Sequence, residues 1–167
     1  MMIFRRNSLR KILKEAKKKR RSAISDDLDN VLFLDFDGVI NIDVNNYGRK
    51  PFDPSCMENI NRLCKTYDLR IVVISSWKKY PNYQKLLYDS GLDRSVTVLG
   101  KTETVNGPRE EEIKKYLADH IYIDRFIILD DGVFDELTPY HVRTRFTEGF
   151  SDQKYEEAAQ LLKSRNQ

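Results

Sequence analysis

Five short apolar runs punctuate the chain from residue 31 onward: VLFLDF at 31, LRIVVIS at 69, SVTVLG at 95, RFIILDD at 125 and a weaker YHVRT at 140. Each is rich in β-branched or aromatic residues and too short for an ordinary helix, so each predicts a strand. Between the runs, apolar residues recur at helical spacing. DPSCMENINRLCKTY opens with Asp53 as cap and Pro54 in the first turn, PNYQKLLYDSG closes at Gly91, GPREEEIKKYLADH opens at Pro108, and SDQKYEEAAQLLK starts from Ser151. Strands apolar on both faces need cover on both. The pattern predicts an α/β fold, a Rossmann-like parallel sheet with helices on both faces, spanning residues 31–167.

Residues 1–30 follow a different pattern. RRNSLRKILKEAKKKRR sets Leu9, Ile12, Leu13 and Ala16 at helical spacing among cations, which predicts a basic tail or amphipathic helix. Charge sharpens the contrast, because this segment holds ten Lys or Arg against four acids, and the remainder nineteen against twenty-two. A solvated arm or a helix lying on the domain is the first expectation. A nucleic-acid-binding arm is the second, and a targeting or membrane-surface peptide the third. No apolar run approaches the roughly 20 residues that span a bilayer. Cys56 and Cys64 fit neither zinc-ligand spacing nor a disulfide framework and read as small buried side chains. The expected compartment is a reducing cytoplasm.

In a parallel sheet of this kind the site lies beyond the carboxyl ends of the strands. Those ends carry Asp35 and Asp37, then Ser75 and Ser76, then Gly100 and Lys101, then Asp130 and Asp131. Four carboxylates collected at one edge repel one another unless a cation neutralises them. An all-oxygen ligand set without His or Cys favours Mg²⁺, bound by Asp35, Asp37, Asp130 and Asp131. A carboxylate beside Mg²⁺ can attack phosphorus, and a second one two residues on can carry the proton. His120 and His141 have no partner pattern and receive no role.

LDFDGVI resembles the first motif of the haloacid dehalogenase (HAD) superfamily, and the other strand ends fall where that family's motifs belong. The resemblance implies a HAD-like fold and a Mg²⁺-dependent phosphatase. It makes Asp35 the nucleophile and a metal ligand, and Asp37 the general acid/base that also lends its backbone carbonyl to the metal. Ser75 would hold the transferring phosphoryl group, with Ser76 as the near alternative, and Asp130 would complete the metal site with Asp131 orienting it. For the cation that offsets charge on the phosphoaspartate, both Lys101 and Arg109 stand in range. PREEEIKKYL, an arginine shortly before EEI, resembles the HAD subgroup of RNA-repair and phage proteins and favours Arg109. That subgroup has Arg after the SSW stretch and Thr-Pro after the third strand, where Lys78 and Glu103 stand here.

Neither interval that holds a cap domain in other members has room for one. Residues 38–74 are used by a turn-rich stretch, a helix and a strand, and NIDVNNYGRKPF can supply only a small flap. A minimal cap predicts an open site that admits a nucleotide or a nucleic-acid end. Alternatives are a phosphoprotein phosphatase or a non-catalytic module that binds phosphate or nucleic acid. Ser76, Lys78 and Lys101 are the expected contacts to further phosphates. Trp77 reads more readily as core than as a platform for a base.

Overall fold

The protein is described here by a computed structural model covering residues 8–22, 28–43 and 52–165. Parts of the basic segment (1–7 and 23–27) and most of the expected flap (44–51) lie outside the described residues.

The apolar runs form the sheet. β1 spans Asp29–Leu34, β2 Arg70–Val73, β3 Val98–Lys101, β4 Ile123–Asp130 and β5 His141–Arg143. All four pairings are parallel, in the order β3-β2-β1-β4-β5. The chain walks outward from β1 to β3, then crosses back to place β4 on the other side of β1. The order therefore reverses between β1 and β4, which stay paired to their carboxyl ends, and the crevice lies just beyond those ends.

Alternate β1 residues serve the two faces, as the period of two requires. Val31 and Phe33 pack into one apolar layer with α1 (Leu9–Arg21) and α4 (Arg109–Asp119). Leu32 and Leu34 pack into the other, with α2 (Pro54–Tyr67), α3 (Tyr83–Asp89) and α5 (Asp152–Ser164). The caps read from the sequence are made: Asp53 accepts from the Cys56 N–H at 2.9 Å, and Ser151 from the Lys154 N–H. Cys56 and Cys64 are buried and free of any disulfide.

One helix is shorter than its pattern. Ser76–Lys79 form a 3₁₀ turn, and α3 begins only at Tyr83. Tyr80 is extended, with φ −82° and ψ 134°, because the following Pro81 excludes the helical region.

The amphipathic segment lies on the domain. Leu9 and Ile12 are buried against the α4 side of the sheet, and Ala16 is buried too. The Leu9 N–H donates to Glu136 Oε2 at 2.8 Å, and Arg20 Nη1 donates to the carbonyls of Ile121 and Ile123 at 2.6 and 2.8 Å. Burial of Leu9 and Ile12 alone stabilises this arrangement by about 3–6 kcal/mol. Among the described residues no helix is long and apolar enough to cross a membrane.

Candidate active site

β1 delivers its last apolar side chain at Leu34, and the next residue, Asp35, stands at the mouth of the crevice. The Asp35 N–H still donates to Leu129 O at 3.0 Å, so the backbone of β4 sets the position of the carboxylate. Its Oδ1 accepts the Phe36 N–H at 2.8 Å. β4 ends in the same way at Asp130, whose Oδ1 accepts the Gly132 N–H at 2.7 Å. Both aspartates are almost wholly buried. Arg109, the first residue of α4, places Nη1 3.0 Å from Asp35 Oδ2 and 2.7 Å from Asp130 Oδ2. The cation between the second and fourth strands that reaches these carboxylates is therefore Arg109. Lys101 Nζ instead donates to Lys78 O at 2.9 Å and lies 5.3 Å from the Tyr83 ring centre.

Carboxylate oxygens of Asp35, Asp130 and Asp131 lie within 4.8 Å of one another. Burial, reinforced by Asp130, pushes the Asp35 carboxyl up to about 7 against the opposing pull of Arg109. Burial followed by Asp130 also raises Asp131. One guanidinium shared between Asp35 and Asp130 thus leaves the cluster short of positive charge. A small group of all-oxygen donors, two buried and one half-buried, with excess negative charge fits a hard divalent cation such as Mg²⁺.

Asp37 follows two residues on, past a bend at Phe36, and is not one of that carboxylate group. Its Oδ1 accepts from Asn41 Nδ2 at 2.7 Å and from Trp77 Nε1 at 3.1 Å. Trp77 packs among Phe36, Phe52 and Tyr80 while aiming its one polar atom at Asp37. It therefore works both as core and as a positioning donor. Between the aspartates and their neighbours Gly38 makes the close turn: its φ is +80°, and a Cβ built there would sit 2.3 Å from Asp131 Oδ2. The Gly38 carbonyl is held at 2.6 Å by the hydroxyl of Thr144, just past β5.

Ser75 is fully buried at the end of the second strand segment, where its Oγ accepts the Trp77 N–H at 3.2 Å. Ser76 is exposed beside it. Lys78 is not gathered with these groups. Its ammonium is buried, 2.7 Å from Glu112 Oε2 and 3.0 Å from Thr102 Oγ1. Sequence reasoning missed Glu112, Thr144 and the Trp77 hydrogen bond. Each joins residues at least 34 positions apart, and no local pattern announces such a pairing. It also missed His141, whose Nε2 lies 2.8 Å from the Asp130 carbonyl.

The family of HAD domains in Swiss Army Knife RNA repair proteins matches residues 31–155. The chain belongs to that family. Membership accounts for the parallel sheet with aspartates at the ends of β1 and β4, and it supports a phosphatase-type function in an RNA-repair setting. Neither a curated protein nor a solved structure matches this HAD domain.

Proposed function

We propose that this HAD domain is a Mg²⁺-dependent phosphomonoesterase that acts through an aspartyl-phosphate at Asp35 on the terminal phosphate of a nucleotide or nucleic-acid strand. The observation that carries the reading is the meeting of Asp35, Asp130 and Asp131 at the β1/β4 switch point, with Arg109 on two of them. Asp35, Asp130 and the backbone carbonyl of Asp37 would hold the metal, with Asp131 orienting them. Bound there, Mg²⁺ supplies the positive charge that lets an anionic carboxylate approach an anionic phosphate.

The residues then divide the chemistry. An Asp35 carboxylate oxygen attacks phosphorus, the bond from phosphorus to the substrate oxygen breaks, and Asp37 gives its proton to that departing oxygen. Asn41 donates to Oδ1 of Asp37 and the Trp77 indole N–H is shared between Oδ1 and Oδ2, which fixes the carboxyl group for proton transfer. Water next attacks the phosphorus of the aspartyl-phosphate and passes a proton to Asp37, which releases inorganic phosphate and restores Asp35. Arg109 offsets the charge that is lost from and regained by Asp35, and the Ser75 hydroxyl donates to a phosphoryl oxygen. Ser76 and Lys101 line the approach for further phosphates of the substrate. The RNA-repair setting of the family favours a nucleic-acid end over a small metabolite.

The test is a Mg²⁺ phosphatase panel of mononucleotides, 3′- and 5′-phosphorylated oligonucleotides and phosphopeptides. Acid quenching with labelled substrate should trap label on the protein. Asp35→Asn should lose both turnover and trapped label while staying folded. Undiminished turnover in Asp35→Asn rules out the covalent route, and preference for phosphopeptide rules out the substrate class.

A further inference from the structure

Helix α1 carries Arg10, Lys11, Lys14, Lys17, Lys18, Lys19 and Arg21 on its exposed side, with Glu15 its sole acid. Arg10, Lys14, Lys17 and Arg21 follow at i, i+4, i+7 and i+11 and so form one row along the helix. Elsewhere several cations are matched: Lys65 pairs with Asp93, Lys85 with Asp89, Lys115 with Asp119 and Lys154 with Glu157. Among the described residues, none of the seven exposed α1 cations forms such a pair.

That arrangement works against the helix. Arg10 with Lys14, Lys14 with Lys18, and Lys17 with Arg21 are like charges one turn apart, which is unfavourable. Cations in the last turn suit the negative end of the helix dipole, but Arg10 and Lys11 stand in the first turn, where anions are preferred and none is present. An unbalanced row kept at this cost suits a polyanion outside the chain. A membrane surface is a poor occupant, because an interfacial helix inserts its apolar face, and here Leu9, Ile12 and Ala16 already spend that face on the protein.

We infer that the outer face of α1 is a docking ridge for the phosphates of a nucleic-acid strand, set beside the candidate active site. The ridge has a defined position because α1 is fixed at both ends. The Leu9 N–H bonds to Glu136, in the segment that follows Asp130 and Asp131, so the ridge starts near the catalytic mouth. Its other end is tied by Arg20 to the amino-terminal edge of β4. Thirteen helical residues give it about 20 Å of length. On its flank opens a cavity of about 710 Å³ lined by Lys17, Arg20, Arg125 and Arg165 together with Asp124 and Tyr140. The Arg165 guanidinium lies 3.7 Å over the Tyr140 ring. Docking itself needs no catalysis; the role in presenting a terminal phosphate rests on the phosphatase reading above.

The decisive measurement is fluorescence anisotropy of the full chain with single-stranded RNA and DNA oligonucleotides that end in hydroxyls, in EDTA, across a salt series. Such strands have no terminal phosphate for Asp35, so the result is independent of the phosphatase reading. Wild type should bind both with a steep salt dependence. Arg10→Gln/Lys14→Gln/Lys17→Gln should lower the slope of log K against log salt by about 2, at about 0.7 per contact, and weaken binding at least about tenfold at low salt. All three side chains are exposed, so the melting temperature should hold. Should the triple variant not fold, Lys14→Gln and Lys17→Gln singly should each lower the slope by about 0.7. An unchanged slope in folded variants overturns the inference. So does tighter wild-type binding to phosphatidylserine vesicles than to either oligonucleotide. If the ridge presents substrate, the triple variant raises KM for a 3′-phosphorylated oligonucleotide; an unchanged KM removes that role. Absence of all phosphatase activity in wild type sinks the catalytic reading and leaves the binding result standing.

Discussion

Removing the Lys78 charge separates a scaffold lysine from a substrate lysine. Lys78 and Glu112 have side chains only 7% and 10% exposed, with Nζ and Oε2 2.7 Å apart, and Thr102 completes the cluster. Deleting one member of such a pair leaves a buried charge with no counterion, which typically costs about 3–5 kcal/mol. For a domain of this size each kcal/mol moves Tm by about 2–4 °C, so Lys78→Met should lower Tm by roughly 6–20 °C. Glu112→Leu should do similar harm, since it strands the ammonium. The double variant Lys78→Met/Glu112→Leu removes both charges and should recover most of the loss, because buried pairs exchange well for apolar groups of similar volume. Thermal unfolding of the four proteins gives the coupling, and steady-state kinetics on whichever substrate is turned over gives the rest. The double variant should keep KM near that of wild type, because a KM rise at unchanged kcat reports lost substrate binding. The reasoning fails if Lys78→Met unfolds as wild type does while its KM climbs steeply. That outcome would make Lys78 a phosphate contact that leaves Glu112 when substrate arrives.

Three further outcomes follow from the geometry. Asp35 has its folded pKa raised, so the stability it contributes is present below pH 4 and lost as pH climbs through about 7; the metal-free protein should therefore unfold more easily at pH 8 than at pH 5. Asp35→Asn should flatten that trend when Tm is followed in EDTA, and a trend equal to wild type would show that another group is responsible. Gly38→Ala should cost at least about 2 kcal/mol, from the strain of a positive φ and the clash with Asp131, and should weaken Mg²⁺ binding by calorimetry. Unchanged Mg²⁺ affinity would detach Asp131 from the metal site. Ile12→Ala should cost about 2–4 kcal/mol in chemical denaturation, against nearly nothing if α1 were a solvated arm.

Much of this architecture can be read in the linear chain, for a reason visible in β1. Burial on both faces leaves VLFL almost no freedom to be anything but an internal strand, and the first carboxylate after it must then lie at the carboxyl edge. Asp130 follows from β4 by the same logic. Spacing alone left Arg109 and Lys101 in the same interval, and only the family resemblance favoured Arg109; the start of α4 is what brings its guanidinium onto Asp35 and Asp130. Lys78 read as a contact to substrate phosphate because its partner Glu112 comes a helix, a strand and a loop later. Likewise, the spacing of Leu9, Ile12 and Ala16 announces an apolar face but not what that face touches. The break between the 3₁₀ turn and α3 was legible in Pro81, which keeps Tyr80 out of the helical region.

The docking of α1 separates two boundaries that usually coincide. The family resemblance begins at residue 31, yet Leu9 and Ile12 belong to the same apolar layer as Val31, Phe33, Ile113 and Leu117. The unit that is recognisable by ancestry is thus smaller than the unit that must fold together. A shortened gene product starting at β1 would keep every aspartate of the candidate site and still present bare aliphatic surface to solvent, with aggregation as the foreseeable result.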